Sequence, residues 1–274
     1  MEDKYLSALP LGRTVAFSPL YDPSQLCPVP RSLARQALGI SAEKGLPFYG
    51  EDIWNCWELS WLDENGKPLL AVAEIRIPAD SPFLVESKSL KLYLNSFNMT
   101  RISGTEELKS TLIRDITAIV QAKIDLTLHM PEDFFHLRPG EPEGLCIDTL
   151  PFNAEKPAFP ETGDSKGIIS EKLFSRLLRS HCPVTGQPDW ATVHIAYRGQ
   201  PICHESLLRY IVSLREHTGF HESCAETIFC CILERCRPEN LMVSARFTRR
   251  GGIDINPFRS THSCTMPNER DFRQ

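Results

Sequence analysis

The sequence predicts an α+β protein made of two modules on one plan, each an antiparallel sheet with paired helices on one face. Three observations predict it. Apolar residues alternate with period two in both halves, a helical face of one spacing recurs in both, and a segment without periodicity divides them.

The chain opens on a proline-rich stretch (Pro10, Pro19, Pro23, Pro28, Pro30) that reads as loop. Trp57 to Leu62 and Leu69 to Ile77 alternate as two strands, with Trp54 at the head of the first. Asn65-Gly66 between them has the composition of a hairpin turn. Ser89 to Phe97 places Leu90, Tyr93, Leu94 and Phe97 at i, i+3, i+4, i+7, one face of a helix. A second helix is expected from about Thr105 to Ala122, then a strand over Ile124 to His129. Residues 138–165, rich in proline, glycine and acids, suit a connector. Trp190 to Tyr197 then reads as a strand, Arg198-Gly199 as a turn, and Leu207, Tyr210, Ile211 and Leu214 repeat the helical face. A helix from about Phe220 to Arg235 and a strand from about Leu241 to Thr248 complete the copy. Tyr93 matches Tyr210, and Trp54 matches Trp190. The expected modules are therefore 1–137 and 166–274. Each would expose sheet edges and an apolar sheet face, so packing against its twin and a homo-oligomer, most simply a homodimer, are expected.

With 274 residues, 42% hydrophobic and 24% charged, the chain can bury a full core. A net charge of -5 supplies no field for holding a polyanion, which argues against direct nucleic-acid binding and leaves a free nucleobase open. Apolar runs such as Leu69 to Ala73 and Thr227 to Leu233 fall short of the ~20 residues of a membrane span. Met1-Glu2-Asp3-Lys4 is not followed by an apolar run, and the 10 cysteines form no regular framework. A cytoplasmic protein with reduced thiols is the expectation.

Four segments carry candidate chemistry. Glu86-Ser87-Lys88-Ser89-Leu90-Lys91 sets an acid, a hydroxyl and two lysines at a helix start, where unpaired backbone N–H groups favour anions. A capped surface helix with solvated lysines would read the same way. His181-Cys182-Pro183-Val184-Thr185-Gly186-Gln187-Pro188-Asp189-Trp190 is a turn-rich loop in which a thiol can be exposed and Asp189 can relay a proton. Phe220-His221-Glu222 puts an imidazole beside a carboxylate at a helix start, which also suits simple dipole complementation. Arg249-Arg250-Gly251-Gly252 combines phosphate-suited arginines with glycines that permit close backbone approach, and reads equally as a solvated turn. Cys224, Cys230, Cys231 and Cys236 lack paired zinc-ligand spacing, so no metal is expected. The sequence also has no G-x-G-x-x-G after a strand.

In this order the four segments resemble the signatures of the QueF nitrile reductases. The resemblance implies tandem tunnelling-fold (T-fold) modules and reduction of 7-cyano-7-deazaguanine to its aminomethyl form, a step of queuosine biosynthesis, with two NADPH per turnover as co-substrate. It implies that Cys182 is the nucleophile forming a thioimide, that Asp189 is the acid/base and that His221 moves protons. Val85, Glu86, Ser87, His221 and Glu222 would contact the deazapurine nitrile, with Glu222 accepting two N–H donors of its guanine-like edge. Ser87, Lys88, Arg250 and Gly251 would contact NADPH. The second module keeps no copy of the Glu86 signature and the first none of the Cys182 loop, so one composite site per chain is expected. The competing readings are a tunnelling-fold cyclohydrolase or pterin-type enzyme, a non-catalytic purine-binding protein of the same fold, and a cysteine nitrilase. Cys224 follows His221 by one helical turn and is expected near Cys182, where a reversible disulfide would protect the nucleophile.

Overall fold

The structure is a computed structural model that describes residues 18–41, 45–155, 158–165 and 167–274. Pro10 of the proline-rich opening lies outside the described residues. The elements in chain order are β1 (Pro28–Pro30), α1 (Ser32–Ala37), β2 (Tyr49–Leu62), β3 (Pro68–Pro78), β4 (Phe83–Val85), α2 (Ser87–Asn95), α3 (Thr105–Val120), β5 (Asp125–His129), β6 (Leu145–Cys146), β7 (Ile169–His181), β8 (Pro188–Gly199), α4 (His204–Ser213), α5 (His221–Cys236), β9 (Asn240–Phe247) and β10 (Ile253–Ser260). The class is α+β. No helix among the described residues is long and apolar enough to cross a membrane.

Two compact units result. The first takes the described residues of Met1–Leu33 with Asp52–Arg138 and Arg249–Ile255; the second takes those of Ala34–Glu51 and Pro139–Thr248 with Asn256–Gln274. Neither unit is a continuous stretch of chain. The Arg249–Ile255 segment lies with the first unit rather than with the module to which its sequence position assigns it.

In the first unit strands run in the order β5-β3-β2, with β3 and β5 antiparallel from Val72↔His129 to Arg76↔Asp125. The β2–β3 turn forms as its composition predicts. Asp63 Oδ1 accepts the backbone N–H groups of Asn65 and Lys67 at 2.9 and 2.8 Å, and Gly66 takes φ +86°. Trp54 sits inside β2, which begins at Tyr49, rather than at its head. The expected helical face of α2 is real: Leu90, Tyr93 and Leu94 are buried, and Phe97 just beyond the helix joins the same core with Trp54, Trp61, Leu112 and Ile116. Ile253 and Ile255 also enter that core, which is why the late segment belongs here. Tyr21 and Tyr93 both donate to Asp115 Oδ2, at 2.6 and 2.7 Å. The proline-rich opening is not all loop, because β1 pairs antiparallel with β4 through Val29↔Leu84. Two prolines fit a strand this short because an edge strand can do without the N–H donors that proline lacks.

The second unit orders its strands β10-β9-β8-β7-β6. The β10–β9, β9–β8 and β8–β7 pairs are antiparallel, and β6 runs parallel to β7. Strand β7 escapes period-two reading because its register shifts between Ser175 and Leu178, so one irregularity breaks the alternation. Asp148 secures that irregularity, accepting from Ser175 Oγ at 2.6 Å and from Arg176 N at 3.0 Å. Strand β10 is buried along its whole length, so it shows no alternation, and Pro257 within it argues for a turn.

Helix α5 carries a buried carboxylate, Glu226, clasped by two arginines. Arg35 Nη2 reaches Oε1 at 2.7 Å and Nε reaches Oε2 at 3.0 Å, while Arg259 Nη2 reaches Oε1 at 2.8 Å. Both guanidinium carbons also face the Phe48 ring, at 5.5 and 5.3 Å from its centroid. Removing the acid leaves two buried cations without their counter-charge. Glu226→Ala should therefore lower unfolding stability by about 3–5 kcal/mol in a denaturant titration, and a loss within ~1 kcal/mol would contradict a structural role for the cluster.

Candidate active site

The candidate residues fall into both units. Val85, Glu86, Ser87, Lys88, Arg250 and Gly251 are in the first; Cys182, Asp189, His221 and Glu222 are in the second.

In the first unit Glu86 is the N-cap of α2. Its backbone is extended (φ -69°, ψ 129°), and its two carboxylate oxygens accept the N–H groups of Lys88 and Ser89, each at 2.8 Å. Two donors expected to be open to an outside anion are therefore already occupied. The carboxylate is buried, and burial raises its pKa against the lowering effect of those N–H groups and of Lys88. Val85 is held just before it by pairing with Pro28, and Glu86 N donates to Cys27 O at 2.9 Å. Ser87 and Lys88 remain partly exposed at the helix start.

The Arg249–Ile255 segment comes to the same unit. Gly251 (φ +62°) lies so close to Lys91 that a Cβ built on it would stand 3.3 Å from Lys91 Cδ and 3.4 Å from Nζ. Gly252 (φ +79°) abuts Glu58, and its carbonyl accepts from Trp57 N at 2.9 Å. Asp254 is gripped by Asn55 Nδ2 at 2.8 Å and by Trp57 Nε1. Arg250 is exposed at the turn. The structure thus joins the glycine-arginine turn to the lysine-bearing helix, two segments far apart in the chain. An exposed arginine, partly exposed lysines, of which Lys91 also reaches Glu58 Oε2 at 3.3 Å, and a bare glycine backbone are a donor set that fits a dinucleotide's phosphates.

In the second unit β7 and β8 form a long antiparallel ladder, with Ser180 opposite Asp189 and His181 opposite Pro188. Directly paired and alternate residues share a face, so Ser180, Cys182 and Asp189 project to one side. Cys182 stands where the ladder closes. Its N–H donates to Gln187 O at 2.9 Å, its carbonyl accepts from Gly186 N at 3.0 Å, and Gly186 takes φ +65° to complete the turn. The expected exposed thiol is not found: Cys182 is only 3% exposed, because the turn is tight rather than open.

Helix α5 lies against that face. His221 Nε2 is 3.3 Å from Asp189 Oδ2, and its ring stacks on Phe247 at 3.9 Å between centroids. Its Nδ1 is buried with no hydrogen-bond partner among the described residues. Glu222, the next residue, is buried in the first turn of the helix, where the dipole favours a carboxylate. Cys224 has no exposed surface, and burial pushes its pKa up to about 12, with the Ser180 hydroxyl lowering it and the Asp189 charge raising it. It therefore stands beside Ser180 and Asp189, on the face shared with His221. Both Cys182 and Cys224 are free thiols in the structure. Sequence reading missed the segment that anchors this arrangement. His181 N donates to His217 O at 2.8 Å and Gly219 N to His181 O at 3.0 Å, and no motif marks residues 214–219. Among the described residues, no three His, Cys, Asp or Glu side chains gather as metal ligands.

A family model described as "Nitrile reductase, 7-cyano-7-deazaguanine-reductase N-term" matches residues 17–128, and one described as "QueF-like protein" matches residues 188–265. Over 278 residues the chain is 50% identical to a protein of Desulfotalea psychrophila named NADPH-dependent 7-cyano-7-deazaguanine reductase, with 100% of both chains covered. It is likewise 50% identical over 265 residues to a protein of that name from Bordetella avium, covering 96% of each. The chain belongs to the QueF nitrile reductase family. Among solved structures, a crystal structure of the archaeosine synthase QueF-Like in the apo form aligns over 37% of this chain and 100% of its own, at 16% identity and a TM-score of 0.32.

Within this family member, burial separates the thiols. Cys56 and Cys224 are fully enclosed and held protonated by desolvation, whereas Cys203 and Cys264 are partly exposed. Alkylation of the native protein at pH 8, mapped by mass spectrometry, should therefore leave Cys56 and Cys224 unmodified while Cys203 and Cys264 react. Labelling of Cys224 as fast as Cys203 would contradict the burial.

Proposed function

We infer that this protein is an NADPH-dependent 7-cyano-7-deazaguanine reductase, producing the aminomethyl deazapurine used in queuosine formation. Full-length identity of 50% to proteins of that name carries the reading, and the pairing of Asp189 with His221 on the face of Cys182 supports it.

In the proposed mechanism Asp189 takes the Cys182 thiol proton, and the thiolate forms a C–S bond to the nitrile carbon as one π bond of the nitrile opens onto nitrogen. Asp189 returns the proton to that nitrogen, leaving a thioimide on Cys182. NADPH, when bound, supplies hydride, and two are needed because a nitrile and an amine differ by four electrons. Asp189 suits the exchange because it is nearly enclosed with its Oδ2 3.3 Å from the Nε2 of an imidazole that can accept or give a proton. Glu222 would accept the two N–H donors of the guanine-like edge, Glu86 and Val85 would border the base, and Ser87 would touch both ligands. Lys88, Arg250 and Gly251 would hold the NADPH phosphates. Residues whose backbone is fixed by a β-ladder and a capped helix hold such groups with little ordering left to do on binding. No metal role is assigned. A homodimer in the cytoplasm, acting on the free base with no direct nucleic-acid contact, completes the reading.

A ring-opening cyclohydrolase or a nitrilase would give different chemistry. Two NADPH should be oxidised per nitrile consumed, followed at the NADPH absorbance band against chromatographic loss of nitrile. A ratio near one, or release of ammonia, would remove the assignment.

Cys182→Ala should abolish turnover, about 10⁴-fold or more, and eliminate the covalent adduct seen by intact-protein mass spectrometry with nitrile alone. The circular dichroism spectrum should be unchanged. An adduct persisting in this variant would place the nucleophile elsewhere.

A further inference from the structure

Ser180 carries a buried hydroxyl that the fold leaves without an acceptor. It has no exposed surface, and among the described residues its Oγ meets no partner in hydrogen-bonding geometry. Other buried serines of the second unit are satisfied: Ser175 Oγ donates to Asp148 at 2.6 Å, Ser206 Oγ to the Cys203 carbonyl at 2.7 Å and Ser223 Oγ to the Phe220 carbonyl at 2.9 Å. An enclosed hydroxyl with nothing to bond costs free energy, so such a group calls for a partner in another state of the site.

Three observations point to that partner. Ser180 is the direct ladder partner of Asp189, and the register is unbroken from Leu178↔Ala191 to His181↔Pro188. Directly opposed Cβ atoms of an antiparallel pair stand about 5 Å apart, a gap that a serine hydroxyl and an aspartate carboxylate close to hydrogen-bond distance with one turn about χ1. Both groups also act on one thiol, the hydroxyl lowering the pKa of Cys224 and the Asp189 charge raising it, so Ser180, Asp189 and Cys224 are neighbours. Last, the carboxylate has capacity. It offers about four lone-pair sites, and His221 Nε2, 3.3 Å from Oδ2, addresses one of its oxygens. The protonated sulfur of Cys224 is by comparison a weak acceptor.

We propose that Ser180 is a positioning residue for the acid/base: its hydroxyl donates to the Asp189 carboxylate while that group is ionised, and turns to the Cys224 sulfur when the carboxylate carries the proton. This rests on the reading of Asp189 as the group that takes the Cys182 proton. Ser180 keeps its own proton throughout. The proton that moves passes from the Cys182 sulfur to Asp189 and on to the nitrile nitrogen. A donor aimed at the charged form favours that form, so the hydroxyl holds the carboxylate ready as a base before the thiol adds. The titratable groups that neighbouring elements bring to this end of the ladder are His181 and Cys182 at the end of β7, His217 from the turn before α5, and His221, Glu222 and Cys224 from α5. Ser180 carries no charge, so replacing it leaves that set intact.

The pH profile of kcat/KM for the nitrile at saturating NADPH, followed from about pH 5 to 9, tests the role. Without the donor the ionised carboxylate is less favoured, so the base is lost at a higher pH. In Ser180→Ala the acidic limb should therefore move up by about one pH unit, the scale of one charged hydrogen bond. Ser180→Thr keeps the hydroxyl and should leave the limb where the parent has it. The denaturation midpoint of Ser180→Ala should match the parent's, because no hydrogen bond of the resting fold is removed. An unmoved limb in Ser180→Ala overturns the role, and so does a limb that Ser180→Thr displaces equally. A weaker Kd for the nitrile with an unmoved limb would make Ser180 a substrate contact and overturns it too. Asp189→Asn separates this role from the reading beneath it. If that variant keeps the parent's rate and limb, the acid/base reading falls and the role with it; if it loses them while Ser180→Ala keeps the limb, the positioning role alone falls.

Discussion

The second unit is organised around one buried charge. Glu226 lies in the middle of α5, and the two arginines that neutralise it come from α1 and β10, at opposite ends of the chain. Burying ions is costly, and the cost is offset only where geometry and additional hydrogen bonds are good. Both conditions are met. Arg259 also donates to the carbonyls of Glu51 and Phe258 at 3.2 and 2.8 Å, and the Phe48 ring takes a guanidinium from each side of the cluster. An apolar contact could slide along a helix, but a forked ion pair has one register. Fixing α5 at Glu226 fixes Glu222 one turn earlier and His221 beside it, so the anchor sets where the imidazole meets Asp189.

Backbone closeness makes a second constraint in the same unit. Gly50 adopts φ +149°, and a Cβ there would fall 2.0 Å from the backbone oxygen of Phe258. Only a residue without a side chain lets the chain pass here, at the start of β2 and alongside the residue that precedes Arg259. The residues from Ala34 to Glu51 are thus tied by a glycine contact as well as by Arg35. Discontinuity of the units follows from such ties rather than from any break in composition.

What could be read from the sequence follows from this. Elements with one wet and one dry face were legible: α2 and α4 through their repeated apolar spacing, and the β2–β3 turn through Asn65-Gly66. Strands β7 and β10 were not, the first because an irregularity resets its period and the second because both faces are covered. The segments around Cys182, Glu86, His221 and Arg250 stood out because each crowds reactive or charged groups against turn residues. Their surroundings did not stand out. That Glu86 spends two lone pairs capping its own helix, that Cys182 is enclosed, and that Gly251 meets Lys91 depend on contacts between residues far apart in sequence, which no local pattern encodes.

The enclosure of Cys182 has a chemical consequence. A thiol on an open loop would meet any electrophile or oxidant in solvent, whereas a buried one at the end of a β-ladder meets only what reaches it there. The other cysteines are restrained differently. Burial raises the pKa of Cys27, Cys56, Cys224, Cys230, Cys231 and Cys236, so these thiols stay protonated and unreactive near neutral pH. For Cys224 the nearby Asp189 charge adds to that effect.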